Sequence, residues 1–256
     1  MTQITVEYID HCGSDLSVAN AARVSFDKKS EWELPIDVKE FMDLPQALVS
    51  GWPEKNGFKL VNGLFQRLKA SDTKLINYLA KHKHFSPFNH SFISVRVKAP
   101  IFVCRQLVKH KFMPYNEVSR RYVTDKPEFY TPDSWRQAAE NVKQGSSDVE
   151  VDISPLLEME TLDGNAVMLP DEVNTIALQT YEALLKQGVC AEEARMVLPQ
   201  SMMSTFIWSG TLGAFCDMLV LRLDPHTQYE SRLVAQQVAE IVKGLFPVSY
   251  KALVEK

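Results

Sequence analysis

Residues 91–100, SFISVRVKAP, alternate apolar and polar side chains and stop at a proline, and IFVCRQLVKHK follows at once. Alternation at period two describes a strand with one buried face. Pro100 closes the strand and brings the fixed φ suited to the first residue of a helix. A strand that runs directly into a helix needs neighbouring strands to pair with and a sheet face for the helix to cover. On the helix Arg105 and Lys109 lie four apart, as do Gln106 and His110. They form two adjacent polar columns beside an apolar face that includes Ile101 and Val108.

The remaining segments supply those partners. ITVEYI (4–9) alternates like a short strand, and SDLSVANAARVSF (14–26) reads as an amphipathic helix capped by Ser14 or Asp15. DTKLINYLAKHK (72–83) carries Leu75, Ile76 and Leu79 at helical spacing. Residues 27–60 have no clean period and read as an insertion, and the acidic stretch 140–172, with GSSD and LDGN, reads as a surface loop. The last third reads as helical: EVNTIALQTYEALLKQG with Gly188 as C-cap, then AEEARMVLP, then an apolar run from Met202 to Leu223. Asp224-Pro225 has the form of a cap and first turn opening HTQYESRLVAQQVAEIVKGLF. The expected class is α/β (α+β), helix-rich, in one domain over 1–256 with insertions near 27–60 and 140–170.

A chain of 256 residues that is 45% hydrophobic can bury a sizeable core. No apolar run is long enough for a membrane span, and MTQITVEYIDHCG lacks the pattern of a secretory signal, so a cytoplasmic protein is expected. The four cysteines (Cys12, Cys104, Cys190, Cys216) are far apart and read as reduced thiols, Cys104 and Cys216 as packed ones. A net charge of −4 argues against a general nucleic-acid binder.

Against that acidic background, FVCRQLVKHKFMPYNEVSRRYV (102–123) concentrates Arg105, Lys109, His110, Lys111, Arg120 and Arg121 beside Gln106, Asn116, Glu117 and Ser119. A solvated helix face explains such a run, and so does a pocket for a small anion. The second reading has in its favour that the polar residues continue past the helix and mix donors, an acceptor and aromatics. His82, His84 and His90 stand within HKHFSPFNH without a metal-ligand spacing. Arg195 has Glu192 and Glu193 available for pairing. Arg222 directly precedes a capped helix start, whose free N–H groups would join it in holding a phosphate.

The run APIFVCRQLVKHKFMPYNEVSRRY resembles the signature region of the flavin-dependent thymidylate synthases, the ThyX family. LSVANAARVSFD, KHFSPFNH, ARMVLP and LRLDPHTQYE resemble further segments of that family, in its order along the chain. The resemblance implies a ThyX-like fold with a central mixed or antiparallel sheet, and a homotetramer whose active sites form where subunits meet. It implies FAD as cofactor, dUMP as substrate, and NADPH and methylenetetrahydrofolate as co-substrates, with no metal, nucleic acid or membrane. No enzyme cysteine attacks the pyrimidine in this family, which suits four cysteines in unactivated settings. Carried over by position, Gln106, Glu117, Ser119, Arg120, Arg121, Arg195 and Arg222 match the dUMP-binding set, with Ser119 and Arg222 as catalytic residues. Ser25, His84, Ser86, Lys109, His110, Lys111, Asp217 and His226 match the flavin side.

The sequence also departs from the family. Lys109-His110-Lys111 replaces Arg-His-Arg, Pro114 replaces a serine, and Arg120 replaces a glycine. Thr211, Gly213 and Asp217 stand where Asn, Arg and Asn are usual. These changes gather on the flavin side. Two readings follow: a divergent working synthase, or a pyrimidine-deoxynucleotide relative with other one-carbon chemistry such as hydroxymethylation, or without redox chemistry. A non-catalytic nucleotide-binding protein is the third class.

Overall fold

A computed structural model describes residues 3–33, 58–61, 64–140, 145–153, 158–161, 164–167 and 169–255. Most of the insertion expected at 27–60 lies outside these residues. Strand β1 (Thr5–Cys12) leads into α1 (Asp15–Arg23), β2 (Phe58–Val61) and β3 (Leu64–Arg67) form a hairpin, and α2 (Ala70–Lys81) precedes a 3-10 turn at Ser86–His90. Strand β4 (Phe92–Pro100) runs into α3 (Ile101–Leu107), followed by β5 (Tyr115–Glu117). Two hairpins come next: β6 (Trp135–Ala138) with β7 (Ser146–Val151), and β8 (Glu158–Thr161) with β9 (Gly164–Val167). The chain continues through α4 (Pro170–Lys186), α5 (Ala191–Ala194), β10 (Met203–Thr211), α6 (Leu212–Arg222), α7 (Tyr229–Leu245) and α8 (Pro247–Leu253).

The central sheet is antiparallel, in the order β1-β4-β10-β5. Ile93, Val95 and Val97 of β4 and Phe206 and Trp208 of β10 turn to one face and are buried, as the period-two pattern requires. Helices α6 and α7 cover that face, and α8 packs behind them against α1 and α2. Two buried carboxylates fasten this helical layer. Asp15 accepts from the Val248 N–H (3.0 Å), the Ser249 N–H (2.9 Å) and the Ser249 hydroxyl (2.5 Å), holding the first turn of α8. Asp72 on α2 accepts from Arg23 of α1 and from the Ser30 hydroxyl (2.5 Å).

Four expectations change. The helix after Pro100 starts at Ile101 and ends at Leu107 rather than continuing to Lys111. The chain must turn there to reach β5, and Phe112 takes a φ of 61° in doing so. The apolar run 202–223 is a strand followed by a helix: Phe206 and Trp208 alternate with exposed Ile207, and the Thr211 hydroxyl accepts from the Ala214 N–H (3.1 Å) to cap α6. The helix expected from Asp224-Pro225 starts at Tyr229; Asp224 caps a turn instead, accepting from the His226 N–H at 2.8 Å. The acidic stretch 140–172 holds strands rather than only loop.

Candidate active site

Helix α3 separates two clefts. Ile101, Cys104, Arg105 and Val108 face a cleft of about 620 Å³, while Phe102, Gln106 and Lys109 face one of about 1230 Å³. These are the i, i+3, i+4, i+7 positions of one helix face and the remainder. The two polar columns expected on the helix are therefore divided: Arg105 and Lys109 open to different clefts. Pro199 stands on the rim of both.

The smaller cleft gathers Glu117, Ser119, Arg120, Arg121 and Arg195, five of the seven residues matched to dUMP, together with Arg105. Pairing of β5 with Phe206 and Trp208 of β10 places Glu117 at its edge. The Ser119 hydroxyl accepts from Arg121 Nε at 3.2 Å. Arg195 Nε donates to the Glu192 carbonyl (3.2 Å) rather than pairing with Glu192 or Glu193 as the sequence suggested. The Arg120 side chain is turned to its own loop, where Nη1 donates to the Asp125 carbonyl (2.5 Å) and carboxylate (2.9 Å). Below these groups the half-buried Tyr115 lies beside Glu117 and Cys104, and burial first, then those neighbours, raises its hydroxyl above the usual range. Burial, then the Glu117 charge, pushes the Cys104 thiol up to about 12, so it is no nucleophile at neutral pH. Cys216 is fully buried and pushed up as well.

The larger cleft holds the other two, Gln106 and Arg222, with Lys109, Asp217 and His226 of the flavin-matched set. Gln106 is clamped: its Nε2 donates to Gln228, and its Oε1 accepts from the Ser231 hydroxyl at 3.0 Å. Arg222 Nη2 donates to the Gln106 carbonyl at 3.0 Å, satisfying an orphan acceptor at the C-terminal end of α3. Its Nε donates to His110 Nε2, also at 3.0 Å. The His226 and Thr227 N–H groups that follow Arg222 bond to Asp224, and the helix start comes later, at Tyr229. Hairpin β6–β7 walls the cleft. Arg136 reaches the Ser146 hydroxyl (2.9 Å) and the buried Glu230 (2.7 Å), and lies over the Tyr229 ring. Gly145, at φ 103°, comes so close to His226 that a Cβ there would stand 3.2 Å from its carbonyl.

Ser25, His84 and Ser86 line neither cleft; they are exposed on the side of α1 and the 3-10 turn, where His84 stacks with Tyr78. Lys111 is exposed in the turn after α3. Thr211 and Gly213 both meet Asn89. The Thr211 hydroxyl bonds its Oδ1 at 2.9 Å, and a Cβ on Gly213 would stand 2.6 Å from the same atom. Arg105 stood in the basic stretch without an assigned role, and Gln228 with Ser231 shows only as an i, i+3 pair in TQYES. Arg136 and Glu230 are 94 residues apart, with no local pattern to join them.

A helix-covered antiparallel sheet carries one basic cleft, with four arginines against Glu117, and a second in which Lys109, Arg136 and Arg222 stand among four carboxylates. With inert thiols beside them, the first has the chemistry of a site for an anionic ligand. Residues 7–248 match the family described as thymidylate synthase complementing protein. The chain is 35% identical over 250 residues to a flavin-dependent thymidylate synthase of Thermus thermophilus, covering 98% of this chain and 75% of that protein. A flavin-dependent thymidylate synthase of Kosmotoga olearia is 34% identical over 220 residues, 86% of this chain and 92% of the relative. Among solved structures, the UMP/dUMP methylase PolB from Streptomyces cacaoi bound with 5-Br dUMP is similar at a TM-score of 0.67 and 27% identity, covering 98% of this chain and 95% of that one. The chain belongs to the flavin-dependent thymidylate synthase family.

Proposed function

We propose that the protein is an FAD-dependent thymidylate synthase, methylating dUMP to dTMP with methylenetetrahydrofolate and NADPH. The observation that carries this is the division of the dUMP-matched residues. Glu117, Ser119, Arg121 and Arg195 open to one cleft, Gln106 and Arg222 to the other. Two half-sites on opposite sides of α3 suit an assembly in which the smaller cleft of one copy meets the larger cleft of another. A homotetramer with shared sites is such an assembly.

The arginines bind the nucleotide phosphate and the pyrimidine carbonyls, and hydrogen bonds to those carbonyls withdraw electron density from the ring. Of five guanidinium N–H donors, Arg222 has two engaged, which leaves three for substrate. Gln106 presents its second amide N–H from a carboxamide held at both ends. Ser119 and the arginine beside it offer further donors. The cationic Lys109, with His226 on the same wall, fits the anionic pyrophosphate of FAD. When bound, FAD supplies hydride chemistry, and the folate supplies the carbon that becomes the methyl group.

The contacts of Thr211 and Gly213 with Asn89 favour a second reading. Positions that face flavin elsewhere in the family are here packed against a side chain, which suits a pyrimidine-nucleotide enzyme with other one-carbon chemistry or without a redox step. The absorption spectrum of purified protein with FAD and dUMP, followed by product analysis, separates the two. A flavin band that bleaches with NADPH, together with dTMP formation, supports the synthase. A different pyrimidine product, or failure to hold flavin, supports the alternative.

A further inference from the structure

We propose that His110 is a positioning residue for Arg222, acting on the nucleotide side of the site through that arginine rather than as a flavin contact through its Nε2. The inference rests on the proposed role of Arg222 toward dUMP. Three observations place it. Arg222 Nε donates to His110 Nε2 at 3.0 Å, so that nitrogen is an acceptor and the ring proton resides on Nδ1. The imidazole packs toward the fully buried Trp208 of β10, ring centroids 6.2 Å apart, which limits where it can turn. The second anchor of Arg222, the Gln106 carbonyl, lies four residues earlier in the last turn of α3, so the end of α3 and the turn that follows it grip the guanidinium at two points.

Two anchors fix the plane of the guanidinium and aim its remaining donors into the cleft. With the backbone carbonyl alone, the side chain keeps freedom to rotate about that bond. A neutral imidazole suits this task because it accepts from a cation without adding charge, whereas an imidazolium would set N–H against N–H and charge against charge. Burial, and then the Arg222 charge, lowers His110 to about 4. Arg222 is the charged group facing the ring from α6, Trp208 faces it uncharged from β10, and Lys109 and Lys111 flank it in its own turn. Each of these keeps the ring neutral or leaves it so.

The test measures dUMP and FAD binding separately on the full chain for His110→Ala, His110→Gln and Arg222→Ala. Glutamine places a carbonyl oxygen near the position of Nε2 and restores the acceptor. The expected result is that His110→Ala weakens dUMP binding by about tenfold, the scale of one lost charge-assisted hydrogen bond. FAD affinity stays within about twofold, and His110→Gln recovers most of the dUMP binding. Loss of FAD binding with dUMP binding intact would make His110 a flavin contact and overturn the inference. So would a glutamine variant no better than the alanine one. If Arg222→Ala leaves dUMP binding unchanged, the reading of the site itself fails, which is a separate outcome. The wild-type ring provides a measurement that needs no variant. Nitrogen-15 NMR of labelled histidine is expected to show the Nδ1–H tautomer, neutral at pH 6, and an Nε2–H tautomer would contradict the proposal.

Discussion

His110 also links the site to the stability of the protein. In the native state its ring takes up a proton only near pH 4, whereas an unfolded histidine does so near 6.5. Between those values the unfolded chain binds more protons, so stability falls as pH drops through the window. His110→Gln removes this dependence. Thermal melts at pH 7 and pH 5 are expected to differ less for the variant than for the wild type, and an equal difference would show that the histidine is not held neutral. At the same scale, the motifs single out Gln106 and Arg222 as candidates, but they carry no sign of the partners the structure gives them. A hydrogen bond between residues 112 apart, such as Arg222 to His110, leaves no mark in local spacing.

Among the elements, strand β4 and helix α3 were readable because alternation and a proline mark them, and β10 was hidden because it opens an apolar run that reads as helix throughout. The early end of α3 could not be read either: KHK continues the helical pattern, and the stop depends on the chain's path to β5. Hairpin β6–β7 depends on Arg136, whose partner Glu230 has a nearly buried side chain. Removing one member of such a pair leaves the other charge unpaired, at a cost of about 3 kcal/mol. Arg136→Ala is expected to lower the unfolding free energy by that amount, and adding Glu230→Gln to recover part of it. Additive effects in chemical denaturation would show that the pair does not couple.

Asp15 plays the corresponding part for α8. Asp15→Ala leaves the Val248 and Ser249 donors without a partner and is expected to cost about 2–3 kcal/mol, or roughly 5–10 °C in Tm. Asp15→Asn keeps one of the two acceptor oxygens and sets an amide N–H against the remaining donor, so it is expected to cost less than alanine without being neutral. That smaller cost agrees with burial pushing the Asp15 carboxyl toward its neutral form. Equal losses for both variants in calorimetry would show that one acceptor oxygen alone retains nothing of the contact.

At the scale of the whole molecule, the family resemblance runs through the ordered motifs, and the structure adds how those motifs are arranged around α3. No helix among the described residues is long and apolar enough to cross a membrane. Residues matched by position to one nucleotide-binding set face two clefts, and the proposed assembly reunites them by completing each site from two copies. Glu117→Ala and Arg222→Ala, one in each cleft, test it directly when the two chains are produced together and mixed oligomers are isolated with two tags. Each variant alone is expected to be inactive. Random mixing should leave about a quarter of the sites with both halves intact if the halves come from different copies, and dTMP formation should return to about that fraction. Folded, mixed oligomers with no more activity than either parent would contradict sites shared between copies.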